Sequence, residues 1–220
     1  MLTIHQIINT PVPSNCFVLY DKAVGRECIV VDPGSENNSH IYQYLEKEQL
    51  IPDYIILTHE HFDHCWGVNA LRVAYSEVRL ACSRNCSEAI QSRKKNYSVF
   101  HQQPGFDIHP ADIILDDVNW SLNWNGYQIR FEPALGHSVA GIMFFIDRYV
   151  FTGDTLIKNI KTVTKLKTAS KDRLRESLLI LENEKGKGLI ICPGHGECFM
   201  LDNYNLNLAI NGSKSEIQKT

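Results

Sequence analysis

The segment Thr58-His59-Glu60-His61-Phe62-Asp63-His64 sets three imidazoles and an aspartate within six positions, directly behind the apolar run Tyr54-Ile55-Ile56-Leu57. A run of that kind reads as a buried strand, so the polar string falls where a strand gives way to a turn. Imidazole nitrogen and carboxylate oxygen are the donors that borderline divalent metals such as zinc prefer. A solvated loop can also be rich in His and Asp by composition alone. The strand in front and Gly67 behind favour a metal site at the mouth of a strand.

The rest of the chain must supply a core large enough to hold such a site rigid. Its 220 residues are 44% hydrophobic and 21% charged, ordinary for a globular protein and enough for one domain or two small ones. A net charge of −3 gives no general attraction to nucleic acid or anionic membrane. Met1-Leu2-Thr3-Ile4-His5-Gln6 lacks the cationic start and apolar stretch of a secretory signal, and no run is apolar over a membrane-spanning length. The cysteines, at 16, 28, 65, 82, 86, 192 and 198, are an odd set, which suits free thiols in a reducing cytoplasm. Cys82-x3-Cys86 has no second Cys/His pair at finger spacing to complete a metal clip. Cys65 and Cys192 adjoin chemical motifs, but small buried packing residues are the default reading of both.

Strands are expected at Cys16–Tyr20, Cys28–Val31, Tyr54–Leu57, Val78–Ala81, Gly126–Glu132, Ile142–Ile146, Tyr149–Phe151 and Leu189–Cys192. Helices are expected over Ser39–Gln49, Val68–Ser76, Cys86–Lys95 and Ser170–Glu184, the last with Leu174, Leu178, Leu179 and Leu181 facing inward. Tyr97 to Pro110 reads as loop. No low-complexity linker or short repeat appears. The expectation is one domain over residues 1–220, made of two similar βα halves near 1–110 and 111–220 that share a core.

Three further motifs sit where a strand meets a turn: Gly136-His137-Ser138, Gly153-Asp154-Thr155 and Pro193-Gly194-His195-Gly196. Glycine lets the chain turn sharply, so that a His or Asp can project from a strand end uncrowded. One such pair means little; a set of them in a single chain is hard to explain as packing.

Taken together, His-x-His-x-Asp-His, Gly-His, Gly-Asp-Thr and Pro-Gly-His-Gly resemble the metallo-β-lactamase-fold hydrolases, and most of all their glyoxalase II-like (hydroxyacylglutathione hydrolase-like) branch. The resemblance runs from Asp32-Pro33-Gly34 to His195. It implies an α/β (α+β) fold, a four-layered αβ/βα sandwich with two mixed β-sheets and metals at one edge. It also implies two divalent ions, zinc first, with iron or manganese as alternatives. His59, His61 and His137 would hold one, Asp63, His64 and His195 the other, and Asp154 would bridge them. The implied chemistry is attack by a metal-bridging hydroxide on a small ester, thioester or related substrate, with Asp63 orienting that hydroxide. Asp32 would either hold a ligand histidine from behind or only shape its turn.

Departures from the branch bear on the substrate. An aspartate at 154, where the main zinc β-lactamases carry a cysteine in this region, argues against antibiotic hydrolysis. The Gly-Arg pair expected after Gly-Asp-Thr-Leu is replaced by Ile157-Lys158-Asn159-Ile160-Lys161, and the sequence stops short of a helical glutathione-binding domain. The replacement opens a basic stretch, Lys158 through Arg175. Within it Lys158 and Lys161 are candidates to steer an anionic substrate, against the plainer reading of a solvated face. His101 and His109 could line a pocket; surface or core roles suit His5 and His40. One rival function is a persulfide dioxygenase-like oxidoreductase holding one iron on His59, His137 and Asp154. Another is a ribonuclease or phosphodiesterase of the same fold, and a third a metal-free binding protein. The expected partner is a small molecule, with neither nucleic acid nor membrane, and the oligomeric state is left open.

Overall fold

The computed structural model describes residues 1–115 and 120–212. Residues 116–119 and 213–220, parts of the expected 1–220 span, lie outside the described residues. The strands are β1 (Thr3–Ile8), β2 (Asn15–Tyr20), β3 (Glu27–Val31), β4 (Ile51–Ile56), β5 (Arg79–Ser83), β6 (Ile113–Leu115), β7 (Ser121–Trp124), β8 (Tyr127–Pro133), β9 (Ile142–Ile146), β10 (Tyr149–Gly153), β11 (Ile190–Pro193) and β12 (Phe199–Met200). The helices are α1 (Ser39–Glu48), α2 (Phe62–Cys65), α3 (Val68–Ala74), α4 (Arg84–Ile90), α5 (Ser98–His101), α6 (Lys171–Asn183) and α7 (Asn207–Asn211).

Strand order sorts these into two six-stranded sheets, β1-β2-β3-β4-β5-β6 and β12-β11-β10-β9-β8-β7. Both are mixed. In the first, β1, β2 and β3 pair antiparallel and β3 to β6 parallel. In the second only β10 and β11 pair parallel. Period-two alternation then builds the layers. Phe17, Leu19, Ile29, Val31, Tyr54 and Ile56 turn toward the second sheet and meet Ile129, Phe131, Ile142, Phe144 and Phe151. The alternate residues Val18, Val30, Ile55, Leu57 and Leu80 pack on Ile41 and Leu45 of α1, Leu71 of α3 and Ile90 of α4. On the far side Met143, Phe145, Val150 and Ile191 pack on Leu174, Leu178 and Leu181 of α6 and Ala209 of α7. Helix, sheet, sheet, helix is the expected four-layered sandwich. Among the described residues no helix is long and apolar enough to cross a membrane.

Several local expectations shift. Leu179, expected inward, is 60% exposed, because Leu174, Leu178 and Leu181 already fill the buried face of α6. The helix expected over Cys86–Lys95 stops at Ile90, where the Asn96 side chain donates to the Ile90 carbonyl at 3.3 Å and the Phe106 carbonyl at 2.9 Å, folding the chain back. The strand expected from Tyr54 begins earlier, at Ile51, so that Pro52 lies within β4, opposite Cys28, where the register slips before Ile29. A bulge is where a strand tolerates a missing N–H. The short or outermost strands β1, β6, β7 and β12 carry too little pattern to be read from sequence. Cys82 and Cys86 are buried in the apolar layer with Cys16, Cys28 and Cys65, so packing accounts for them.

Candidate metal centre

Every candidate residue leaves the C-terminal end of a strand or the turn behind it. Leu57 and Thr58 extend β4, and Thr58 passes its carbonyl to the Ile142 N–H at 2.8 Å, which ties this turn to the second sheet. His59 and Glu60 follow, His61 caps α2, and Asp63 and His64 lie on its single turn. His137 follows β8, Asp154 follows β10 and His195 follows β11. Strands β8, β10 and β11 run the same way, so their ends share one edge with that of β4. Two glycines permit the close approach. At Gly153, with φ of +50°, a Cβ would come within 2.5 Å of Thr58 Oγ1. At Gly194 it would sit 2.2 Å from Asp154 Oδ1.

The result is two compact trios, His59 with His61 and His137, and Asp63 with His64 and His195. Asp154 lies between them: Oδ2 is 3.6 Å from His137 Nε2 and 3.5 Å from His195 Nε2, and Oδ1 is 3.5 Å from His64 Nε2. All seven residues expected at the site are therefore drawn together. Asp32 also forms a tight group with His59 and His64. Its oxygens are taken, however. Oδ1 accepts from the Thr58 N–H at 2.8 Å, and Oδ2 accepts from Thr58 Oγ1 at 2.6 Å and from His64 Nδ1 at 3.0 Å. Asp32 anchors the site from behind.

Hydrogen-bond bookkeeping tests whether a metal fits. His64 Nδ1 faces the Asp32 carboxylate, His137 Nδ1 faces the Val163 carbonyl at 3.1 Å, and His195 Nδ1 faces the Pro13 carbonyl at 3.0 Å. These partners only accept, so each Nδ1 carries a hydrogen and Nε2 is the nitrogen turned into the site. His59 Nδ1 lies 3.0 Å from Thr58 Oγ1, whose own hydrogen goes to Asp32, so His59 follows the same rule. Burial leaves His59 Nε2, His64 Nε2 and Asp154 Oδ1 at the centre with no hydrogen-bond partner; His61 Nε2 also lacks one, but lies on the Glu60 side of its ring. Such orphaned atoms cost about 1–3 kcal/mol each. A cation at the centre removes that cost. His61 Nδ1 and His137 Nε2 are 3.0 Å apart, close to the ~3.3 Å that separates two nitrogens sharing one tetrahedral zinc. The donor set fits divalent metal.

The titration states separate the trios. Burial, with His64 and the other imidazoles nearby, drives His59 well below its usual value, and burial with His137 nearby takes His61 down to about 3. Burial also pulls His64 down, but Asp63, Asp154 and Asp32 outweigh it and lift that imidazole to about 9. In His195 burial is outweighed by Asp154 and Asp63, and the ring rises to about 10. Burial opposes ionisation of Asp154 and Asp63, yet His64 and His195 hold both carboxyls below the ordinary range.

Other contributors escaped the sequence. Glu60 is buried, and Ser138 Oγ lies 2.8 and 2.7 Å from its two oxygens while accepting from the Ala140 N–H at 2.9 Å. Tyr97 sets its ring edge against His61, centroids 4.9 Å apart. A buried acid inside the His string was a usable signal for Glu60; nothing local marked Tyr97. Lys158 forms an ion pair with Glu197 at 2.7 Å, and Lys161 is exposed on the same loop. His101 stacks on Phe62, centroids 4.5 Å apart, and His109 lines a separate shallow cleft with Asn69 and Gln91. Cys65 donates to the Glu60 carbonyl at 3.3 Å, and burial raises its thiol, as expected of a packing residue.

A family model described as the metallo-β-lactamase superfamily matches residues 9–195. An uncharacterized protein of Mycobacterium leprae is 26% identical, over 83% of this chain and 86% of its own length. A probable metallo-hydrolase of Streptococcus pyogenes is 28% identical over 89% of this chain and 84% of its own length. A hydroxyacylglutathione hydrolase of Psychromonas ingrahamii is 27% identical over 64% of this chain but only 47% of its own. Among solved structures, the BLEG-1 B3 metallo-β-lactamase superposes with a TM-score of 0.83 at 25% identity, covering 95% of this chain and 98% of that one. TTHA1623 in a di-iron-bound form gives 0.73 at 22% identity, with 90% and 94% covered. ETHE1 from Myxococcus xanthus gives 0.72 at 17% identity, with 95% and 88% covered. A protein named a B3 metallo-β-lactamase is thus among the structural neighbours.

Proposed function

The chain belongs to the metallo-β-lactamase superfamily and is a metal-dependent hydrolase, and from that premise we propose a dinuclear enzyme acting on a small ester or thioester. The observation that carries this reading is the position of Asp154, whose two oxygens face both trios at 3.5–3.6 Å. His59, His61 and His137 would hold one ion and Asp63, His64 and His195 the second, with Asp154 shared. Divalent ions bound there, zinc first and iron or manganese as alternatives, would supply Lewis acidity and a water acidic enough to attack at neutral pH.

The chain's own groups do the remainder. Asp63, kept ionised by His64 and His195, is an acceptor for the attacking water's proton and aims it at the substrate. Asp32, Thr58, Val163 and Pro13 fix the rings from behind, so little reorganisation is needed when a substrate arrives. Burial holds the Cys65 thiol protonated, so it is no candidate nucleophile. The free cysteines suit a reducing compartment, and a cytoplasmic location belongs to this proposal.

Metal quantification on protein from its native host, paired with a panel of esters, thioesters, phosphodiesters and a β-lactam, tests the reading. Two zinc ions with ester or thioester turnover support it. One iron with oxygen consumption would replace it with the oxidoreductase. Lactam turnover is the second hydrolytic outcome, for which the B3 β-lactamase likeness is the reason.

A further inference from the structure

A cavity of about 450 Å³ opens beside the first trio, a size suited to a small ligand. Glu60 forms its inner wall and Tyr97, edge-on to His61, its threshold. Two of its apolar walls are left uncovered by the fold, Phe100 at 73% exposure and Val139 at 45%. Lys94, Lys95 and Lys167 stand around the same opening, all exposed. Among the described residues these lysines take part in no ion pair, unlike Lys158. The three lysines outnumber the two acids of the lining, Glu60 and Glu88. Glu60 is buried and occupied by Ser138, which leaves Glu88 as the exposed acid of the lining.

The cavity is also built, not incidental. Tyr97 holds a left-handed backbone, φ 65°, uncommon for a bulky residue and typical of positions the surroundings force. Asn96 does the forcing: its Oδ1 accepts from the Ser98 N–H at 2.9 Å while its amide holds the Phe106 carbonyl. Thr168, from the basic stretch of the other half, lines the same cavity. Asn85 Nδ2 donates to the Val139 carbonyl at 3.1 Å and Ser83 Oγ to the Ala140 carbonyl at 2.7 Å, fastening the floor. Apolar walls leading from the metal edge to a rim of unpaired cations match a ligand that is apolar near the reacting bond and anionic at its end.

We infer that this cavity binds one arm of the substrate, a short apolar chain ending in an anionic group, with Tyr97 and Phe100 flanking the chain and Lys94, Lys95 and Lys167 receiving the anion. The inference rests on the hydrolase reading above and assigns the substrate's charge. The test uses zinc-loaded enzyme and matched thioesters: hexanoyl against adipoyl on one neutral thiol, and hexanoyl on a neutral against a carboxylated thiol. The first pair puts the anion on the acyl side, the second on the leaving group. Wild type should favour one anionic member by about tenfold or more in kcat/KM, through KM. The K94E/K95E double variant should lose that preference while its rate on the neutral member stays within about twofold, which also shows that it folds. A preference absent in wild type, or intact in the double variant, overturns the inference and leaves the hydrolase reading standing. If no thioester turns over, the thioester reading fails, and calorimetry with hexanoate and its neutral counterpart hexanamide then decides the cavity. Tighter hexanoate binding that the double variant loses supports the inference; equal binding of the two overturns it.

Discussion

The two trios occupy one strand-end edge yet differ in what they ask of an arriving ion. His59, His61 and His137 are imidazoles only, and burial holds His59 and His61 far below their usual values. His59 and His61 present bare nitrogens at any physiological pH. The trio of Asp63, His64 and His195 contains a carboxylate and faces Asp154, so in the metal-free protein His64 and His195 are raised to about 9 and about 10. These rings act as cations that neutralise the acids. An ion must displace their protons before it can bind. Two sites with similar donors are therefore unequal, and the inequality comes from where the carboxylates were placed.

The largest expected effect removes the residue the trios share. Asp154→Ala should lower hydrolysis by about a thousandfold or more, ~4 kcal/mol, with the far-ultraviolet dichroism spectrum unchanged. Metal content should fall below two equivalents. Full activity, or two ions retained, would break the assignment of Asp154 to both trios.

Next comes proton release. At pH 7 His64 and His195 lie on the protonated side of their raised values, so an ion filling their trio must expel about two protons. Affinity for that ion should climb roughly a hundredfold per pH unit up to about 9, roughly tenfold between about 9 and about 10, and level off above that. In the all-imidazole trio His59 and His61 should contribute almost no release. Titrating metal-free enzyme with zinc in a weakly buffered indicator dye reads both quantities. Equal proton release for the first and second equivalents would erase the proposed difference between the trios.

The support behind the rings should differ as well. Asp32→Asn keeps one acceptor oxygen but cannot serve Thr58 Oγ1, Thr58 N–H and His64 Nδ1 together. Loss of such a partner lowers metal affinity by about 10–100-fold. The larger share should fall on the trio containing His64, because His59 feels Asp32 only through the Thr58 hydroxyl. Competition with a chelator measures each ion. An equal loss at both sites would mean that Asp32 holds the turn and not the ring.

What could be read from sequence follows the same division between local and assembled features. Donors at strand ends announce themselves because strand, turn and side chain are neighbours in the chain, as Leu57 through His64 show. The two-sheet core was legible for the same reason: Cys16–Tyr20 and Ile142–Ile146 are apolar throughout, as strands covered on both faces must be. The groove was not legible. Lys94 falls at the end of a helix that the sequence suggests and the structure stops at Ile90, Tyr97 and Phe100 fall in a stretch that reads as loop, and only the Asn96 clamp gives them a common direction. Leu179 failed in the opposite sense, since helical spacing admits a leucine that the neighbouring sheet has no room to cover.

The smallest effect is expected where sequence placed an anion-steering role, at Lys158 and Lys161. Lys158 is already engaged by Glu197 at 2.7 Å, an exposed pair of the kind that contributes about 0–1 kcal/mol. Reversing both lysines should therefore cost anionic substrates about two- to threefold in kcat/KM at low ionic strength and leave neutral ones unchanged, the loss fading as salt is raised. Because their loop follows Asp154 directly, the same variant also probes the link between charge outside the site and the carboxylate at its centre. An equal loss on neutral and anionic substrates would place these lysines among the supports of Asp154, and remove them from substrate recognition.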